Sequence, residues 1–136
     1  MRESLKKEVR ERAKNCCEYC FAQAKYSADI FSIEHIIPIS MGGLSELYNL
    51  ALSCQRCNNH KYIATSAVDP ATGSFALLYN PRVDIWVEHF LWSNYYTEIV
   101  GISPTGRATV NRLQLNREGL INLRQLLFAV DLHPPF

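Results

Sequence analysis

Cys17-Glu18-Tyr19-Cys20 and Cys54-Gln55-Arg56-Cys57-Asn58-Asn59-His60-Lys61 carry two C-x2-C pairs with 33 residues between them. Thiolates spaced this way grip one ion through a tight turn, and two such pairs supply the four soft ligands of a tetrahedral zinc site. The other reading is four reduced thiols buried as small apolar groups. A fifth cysteine, Cys16, would pair with Cys20 only as C-x3-C, so Cys17 is the better ligand. Cys16 is then expected to pack as a small apolar side chain. The gap between the pairs is longer than a minimal zinc finger needs, so it must hold substantial structure.

Within that gap, Ile30-Phe31-Ser32-Ile33 is β-prone and leads into Glu34-His35. Pro38 and the Gly42-Gly43 pair break regular structure and force a loop. Leu47 to Leu52 is a second short apolar run and contains Asn49; Ser53 stands where a helix cap would, with 54–63 as the helix. The order is strand, loop, strand, helix. So small a unit needs a staple, which zinc supplies.

Before it, residues 4–15 read as a helix capped by Ser4, with Leu5, Val9 and Ala13 on one face and a modestly positive outer face. That charge is either solvated or set against phosphate. Beyond the core, residues 65–81 are rich in turn formers, and 75–79, 84–92 and 97–102 read as strands. Ser103-Pro104-Thr105-Gly106 reads as a turn, followed by a helix over 108–115 and another from Asn116 that Pro134-Pro135 stops. The expectation is an α+β chain forming a single domain over 1–136: a helix to about 15, a zinc-stapled core over 16–64, and a β/α extension over 65–136 packed on it.

Composition bounds the function. Hydrophobic residues at 48% and charged residues at 20% allow a buried core. A net charge of +1 excludes a uniformly basic DNA coater but leaves room for a local basic strip around a site. No apolar run is long enough for a membrane span, and charges occupy the place of a secretory apolar stretch. A soluble, cytoplasmic chain with reduced cysteines is expected.

Cleaving a phosphodiester takes a base to activate water and a cation to stabilise charge on phosphate and leaving oxygen. An imidazole suits the first task, and His35 supplies one. Glu34 offers hard oxygen for Mg²⁺, and an amide oxygen could complete the grip. Neighbours on a regular strand face opposite ways, so both serve one site only if the strand bends or ends there.

Taken in order, Cys17-x-x-Cys20, Glu34-His35-Ile-Ile-Pro38, Gly42-Gly43, Asn49-Leu50 and Cys54-x-x-Cys57-Asn58-x-x-Lys61 resemble the zinc-knuckle branch of the HNH endonucleases over about a third of the chain. The resemblance implies a ββα-metal fold with structural Zn²⁺ and one catalytic Mg²⁺ or Mn²⁺. It implies His35 as general base, Glu34 and Asn58 as metal ligands, and Asn49 holding the His35 loop by backbone hydrogen bonds. The pattern here is His-Asn-Asn, with Glu34 where Asp is more common. His60 lies two residues past Asn58, about 200° around a helix, so both do not face one metal.

Arg56, His60 and Lys61 are candidate phosphate contacts, with solvated helix charge as the alternative. Trp86, Phe90 and Trp92 read as core rather than a base-stacking platform. Arg82, Arg107, Arg112, Arg117 and Arg124 make either a DNA-facing surface or internal links, with a scaffold role as the default. The implied partner is nucleic acid, double-stranded DNA above all, with no membrane and no organic cofactor. Two competing readings are a zinc-stabilised binding module that does not cut and a thiol oxidoreductase using the C-x-x-C pairs.

Overall fold

The computed structural model describes residues 1–136. Helix α1 spans Glu3–Arg12 and buries Leu5 and Val9. It begins one residue earlier than expected, at an Arg2 cap that makes no side-chain bond, so Ser4 lies inside the first turn. It also ends earlier, because Lys14 and Asn15 both take positive φ. Arg12 fastens it to the next layer by donating to the carbonyls of Leu47 and Leu50 at 2.8 and 2.6 Å.

Strands β1 (Phe31–His35) and β2 (Leu50–Cys54) pair antiparallel, with Ile33 opposite Leu52, Glu34 opposite Ala51 and His35 opposite Leu50. Period-2 alternation sorts these residues onto two faces. Leu50 and Leu52 pack with Leu5, Val9 and Ala13 of the N-terminal segment, with Ile33 against them. On the other face Ala51 joins the main core. Helix α2 (Gln55–Lys61) follows and packs on both strands. Ser53 is not its cap: it belongs to β2, its hydroxyl donates to the Cys54 carbonyl, and Cys54 takes the cap position.

The segment from 65 onward differs most from expectation. The turn-rich stretch contains strand β3 (Ser66–Val68), paired with β4 (Phe75–Leu77). Residues 84–92 are not one strand; a 3-10 turn at Trp86–Glu88 precedes a short β5 (Phe90–Trp92), which pairs with β6 (Ile99–Gly101). Trp86 and Trp92 both lean on Phe21, with ring centroids 5.5 and 5.9 Å away, so packing around that ring replaces strand continuity. Ser103 begins a helix rather than a turn. Its hydroxyl accepts from the Gly106 N–H at 2.9 Å, and Pro104 takes the first helical position of α3 (Pro104–Leu113). Helix α4 spans Glu118–Ala129. No helix is long and apolar enough to cross a membrane.

The main core joins Cys17, Cys20, Cys54 and Cys57 to Phe90, Ile99, Leu113, Leu115 and Leu120, so the cysteine pairs and the C-terminal half bury a common surface. Each of the five C-terminal arginines donates within the chain. Arg82 pairs with Glu18 and bonds the Leu50 carbonyl, while Arg107 forks onto both oxygens of Asp69 at 2.9 Å. Arg112 holds the carbonyls of His60 and Lys61, Arg117 reaches Cys54 and Cys57, and Arg124 bonds the carbonyls of Cys20, Thr97 and Leu115. These internal links match the scaffold role expected for them.

Candidate active site and metal centre

The sulfur cluster is built from two local turns. Cys17 and Cys20 sit in a knuckle closed by Cys17 N–H to the Ala22 carbonyl at 2.9 Å and Phe21 N–H to the Cys17 carbonyl at 3.0 Å. Cys54 ends β2, and Cys57 lies in the first turn of α2. The four Sγ atoms lie within 4.8 Å of one another, and every one of these cysteines is buried. No disulfide forms among them. Cys20 and Cys54 place their sulfurs 3.7 Å apart, close to the edge of about 3.8 Å in a tetrahedron with Zn–S bonds near 2.3 Å.

Burial, then hydrogen bonds to Cys17 and Cys54, drives the Cys20 thiol well above its ordinary pKa. Hydrogen bonds from Cys17, Cys20 and Cys57 drive Cys54 below it. Four thiolates cannot share this space without a counter-charge, and the soft donor set fits zinc. Cys16 stands outside the cluster, buried, its thiol donating to the Lys14 carbonyl at 3.4 Å.

The second site lies at the end of β1. Ile33, Glu34, His35, Pro38, Asn58 and Tyr62 are among the residues lining an open cleft of about 340 Å³. Glu34 and His35 sit on opposite faces of β1, yet both reach it, because β1 ends at His35 and the cleft wraps its free edge. His35 Nε2 lies 2.8 Å from the Ser45 hydroxyl. Asn58 turns its amide nitrogen toward the Ser32 hydroxyl at 3.5 Å. His60 and Arg56 are exposed on α2 and do not line this cleft.

Asn49 shapes the loop that follows His35. Its Oδ1 accepts from Ile37 N–H at 2.9 Å, and its Nδ2 donates to the carbonyls of Ile37 and Leu44 at 3.0 Å each. Gly42 takes φ +89°, and Gly43 presses so close that a Cβ there would lie 1.8 Å from the Ile37 carbonyl oxygen and 2.8 Å from Asn49 Nδ2. Gly43→Ala is therefore expected to cost about 3 kcal/mol by pushing apart the carbonyl and amide that fix the loop. Gly42→Ala, with open space around its Cβ, carries only the strain of its φ, about 1 kcal/mol. Urea midpoints rank the two; equal losses would show that the close approach at Gly43 is not what holds the loop.

Glu34 is 5% exposed and doubly held. Tyr19 donates its hydroxyl to Oε2 at 2.6 Å, and Lys61 Nζ lies 2.6 Å from Oε1. Lys61 is 1% exposed and also donates to the Ile36 carbonyl at 2.9 Å, so it is a buried counter-ion and not a phosphate contact. Despite the short ion-pair distance, Oε1 has no well-aligned hydrogen-bond donor. Carboxylate and amide oxygens are the hard donors a small divalent cation takes, and Glu34 Oε1 could bind one only where the Lys61 ammonium gives way. Three side chains that organise these sites had no such role in the sequence reading: Tyr19 and Lys61 on Glu34, and Ser45 on His35. Lys61 alone was signalled there, as a motif residue.

Burial pushes the Glu34 carboxyl above the ordinary carboxylate range, opposed but not cancelled by the Lys61 ammonium and the Tyr19 hydroxyl. Lys61→Met should therefore cost about 3 kcal/mol or more, the penalty of stranding a buried charge. The loss should be larger near pH 8 than near pH 5. Without the ammonium the folded-state pKa rises further above the unfolded one, so the native state keeps a proton the unfolded chain has released, and stability falls as pH rises between the two values. Denaturation at both pH values measures this. A deficit independent of pH would mean the ammonium does not compensate the carboxylate.

Comparison with known proteins agrees with this geometry. The family model for HNH endonuclease matches residues 17–62, from the first cysteine of the cluster to just past Lys61. The chain is similar to Septu protein PtuB of Bacillus thuringiensis, 29% identical over 126 residues, covering 90% of this chain and 46% of that protein. The chain thus spans about half the length of that relative. No solved structure matches. The family match supports a nuclease-type function in general. With its two cysteine pairs, hairpin and helix in this arrangement, the segment 17–62 is an HNH domain.

Proposed function

We propose that this chain is a metal-dependent endonuclease that hydrolyses DNA phosphodiester bonds. His35 acts as general base, Glu34 and Asn58 hold one Mg²⁺ or Mn²⁺, and Zn²⁺ at Cys17, Cys20, Cys54 and Cys57 is structural. The observation carrying this reading is that Glu34, His35 and Asn58 are lining residues of one open cleft, with the Glu34 carboxylate buried against Tyr19 and Lys61 beneath it. When bound, the divalent ion supplies charge stabilisation at the phosphate and leaving oxygen.

The chain's own residues do the rest. His35 Nε2 hydrogen-bonds the exposed Ser45 hydroxyl at 2.8 Å, and once that hydroxyl turns away the ring nitrogen is free to take a proton from water. Asn49 fixes the loop behind His35 through three backbone hydrogen bonds, so the base is held before substrate arrives. Tyr19 and Lys61 orient Glu34 and favour its ionised form. Arg56 and the positive outer face of α1 are exposed cations for a duplex backbone, with His60 exposed beside Arg56 on α2 as a hydrogen-bonding group.

Incubating supercoiled plasmid with the full chain and Mg²⁺ or Mn²⁺ tests the reading. Metal-dependent nicking or linearisation that disappears in His35→Ala is expected. A wild-type chain that binds DNA yet leaves plasmid, linear and branched DNA and RNA intact with either metal would favour the non-cutting, zinc-stabilised module.

A further inference from the structure

Four thiolates around one divalent ion keep a formal charge of about −2, and here all four cysteines are buried, away from water. A desolvated dianion needs positive charge nearby. One side chain provides it at the sulfurs themselves. Arg117 Nη1 lies 3.5 Å from Cys57 Sγ, and its Nη2 lies 3.4 Å from Cys54 Sγ, so a single planar fork spans the C-terminal pair. The same Nη1 reaches the carbonyls of Leu113 and Gln114 at 3.4 and 3.2 Å, which anchors the guanidinium from the protein side. Two helical turns further on, buried Arg124 donates to the Cys20 carbonyl at 3.3 Å. Helix α4, which starts directly after Arg117, thus touches both halves of the centre.

We propose that Arg117 is the positioning residue of the tetrathiolate metal centre: it slows metal loss by donating to Cys54 and Cys57, and it makes the docking of α4 depend on the bound metal. The inference rests on the reading of the four cysteines as a metal centre. Arginine suits the task because its rigid fork offers two parallel N–H groups at once, whereas a lysine ammonium at this place could serve one sulfur as a point charge. Donation to sulfur offsets the thiolate charge and holds Cys54 and Cys57 in their ligating orientation, so each lets go of the ion less readily.

The test is zinc release from the full, zinc-loaded chain into excess 4-(2-pyridylazo)resorcinol, read by absorbance. Arg117→Met should release zinc about 10- to 100-fold faster than wild type, and Arg117→Lys should fall between them. Arg112→Met removes a neighbouring guanidinium that bonds the His60 and Lys61 carbonyls and no sulfur, so its release rate should stay near that of wild type. In Co²⁺-substituted protein, the thiolate charge-transfer band should shift in Arg117→Met and hold in Arg112→Met. If Arg117→Met fails to fold, the Arg117→Lys release rate and band position decide. Wild-type release rates in the Arg117 variants, or equal acceleration in Arg112→Met, overturn the proposal. A wild-type chain that takes up neither Zn²⁺ nor Co²⁺ removes the metal centre and the proposal together.

Discussion

His35→Ala should slow plasmid cleavage by about 10²- to 10⁴-fold, the range a positioned general base contributes, while the unfolding midpoint stays within about 0.5 kcal/mol of wild type. Both halves of that expectation come from where the ring sits. His35 closes β1 at the rim of the cleft, half-buried, and its side-chain hydrogen bond goes to exposed Ser45. It belongs to neither hydrophobic cluster, so deleting the ring empties no core space. What is lost is the group that can take a proton. Single-turnover cleavage at saturating Mg²⁺ isolates the chemical step, and added imidazole should restore part of the rate in His35→Ala if a proton acceptor is what is missing. A variant that cuts at the wild-type rate would place the base elsewhere. One that loses activity together with its melting transition would make His35 structural. Ser45→Ala, removing only the hydroxyl near Nε2, should cost far less than His35→Ala, because the imidazole itself remains.

How much of this was legible in the sequence follows from the range over which each interaction acts. The cysteine pairs could be read because a chelating turn is local: two thiols with two residues between them announce the loop that presents them, and the structure brings all four sulfurs together. The loop of Pro38, Gly42 and Gly43 was legible for the same reason, since backbone restriction is written at the residue that carries it. The partners of Glu34 were not. A lysine in a helical motif looks the same whether it faces a phosphate or turns inward, and only packing of α2 on β1 points Lys61 at the carboxylate 27 positions before it. Ser103-Pro104-Thr105-Gly106 was misread because serine and proline favour turns and helix starts alike; the choice falls to α3, which packs against β3, β4 and β6. The alternating apolar residues of 84–92 mimicked a strand while their aromatic rings were instead gathered around Phe21. Arg117 lies 60 positions from Cys57, beyond any local signal.

Removal of zinc should have the largest effect of all. Structural zinc in small domains contributes about 10–16 kcal/mol of apparent binding energy, against a net stability of about 5–15 kcal/mol for a whole domain. The four cysteines share their cluster with Phe90, Ile99, Leu113, Leu115 and Leu120, so loss of the ion does not stay within the HNH segment. Cys20→Ser should therefore abolish cooperative thermal unfolding of both halves, seen as loss of near-ultraviolet circular dichroism from the aromatic cluster around Phe21. Cys16→Ser provides the comparison. It alters a buried sulfur one residue before a member of the cysteine cluster, yet that sulfur lies outside the cluster, so a cost of about 1–2 kcal/mol with cooperativity intact is expected. Metal content should separate them too, about one zinc per chain in Cys16→Ser and far less in Cys20→Ser. If Cys20→Ser instead melts as sharply as wild type, the buried hydrophobic surface suffices for the fold. The sulfur cluster would then be a consequence of that packing and not its cause.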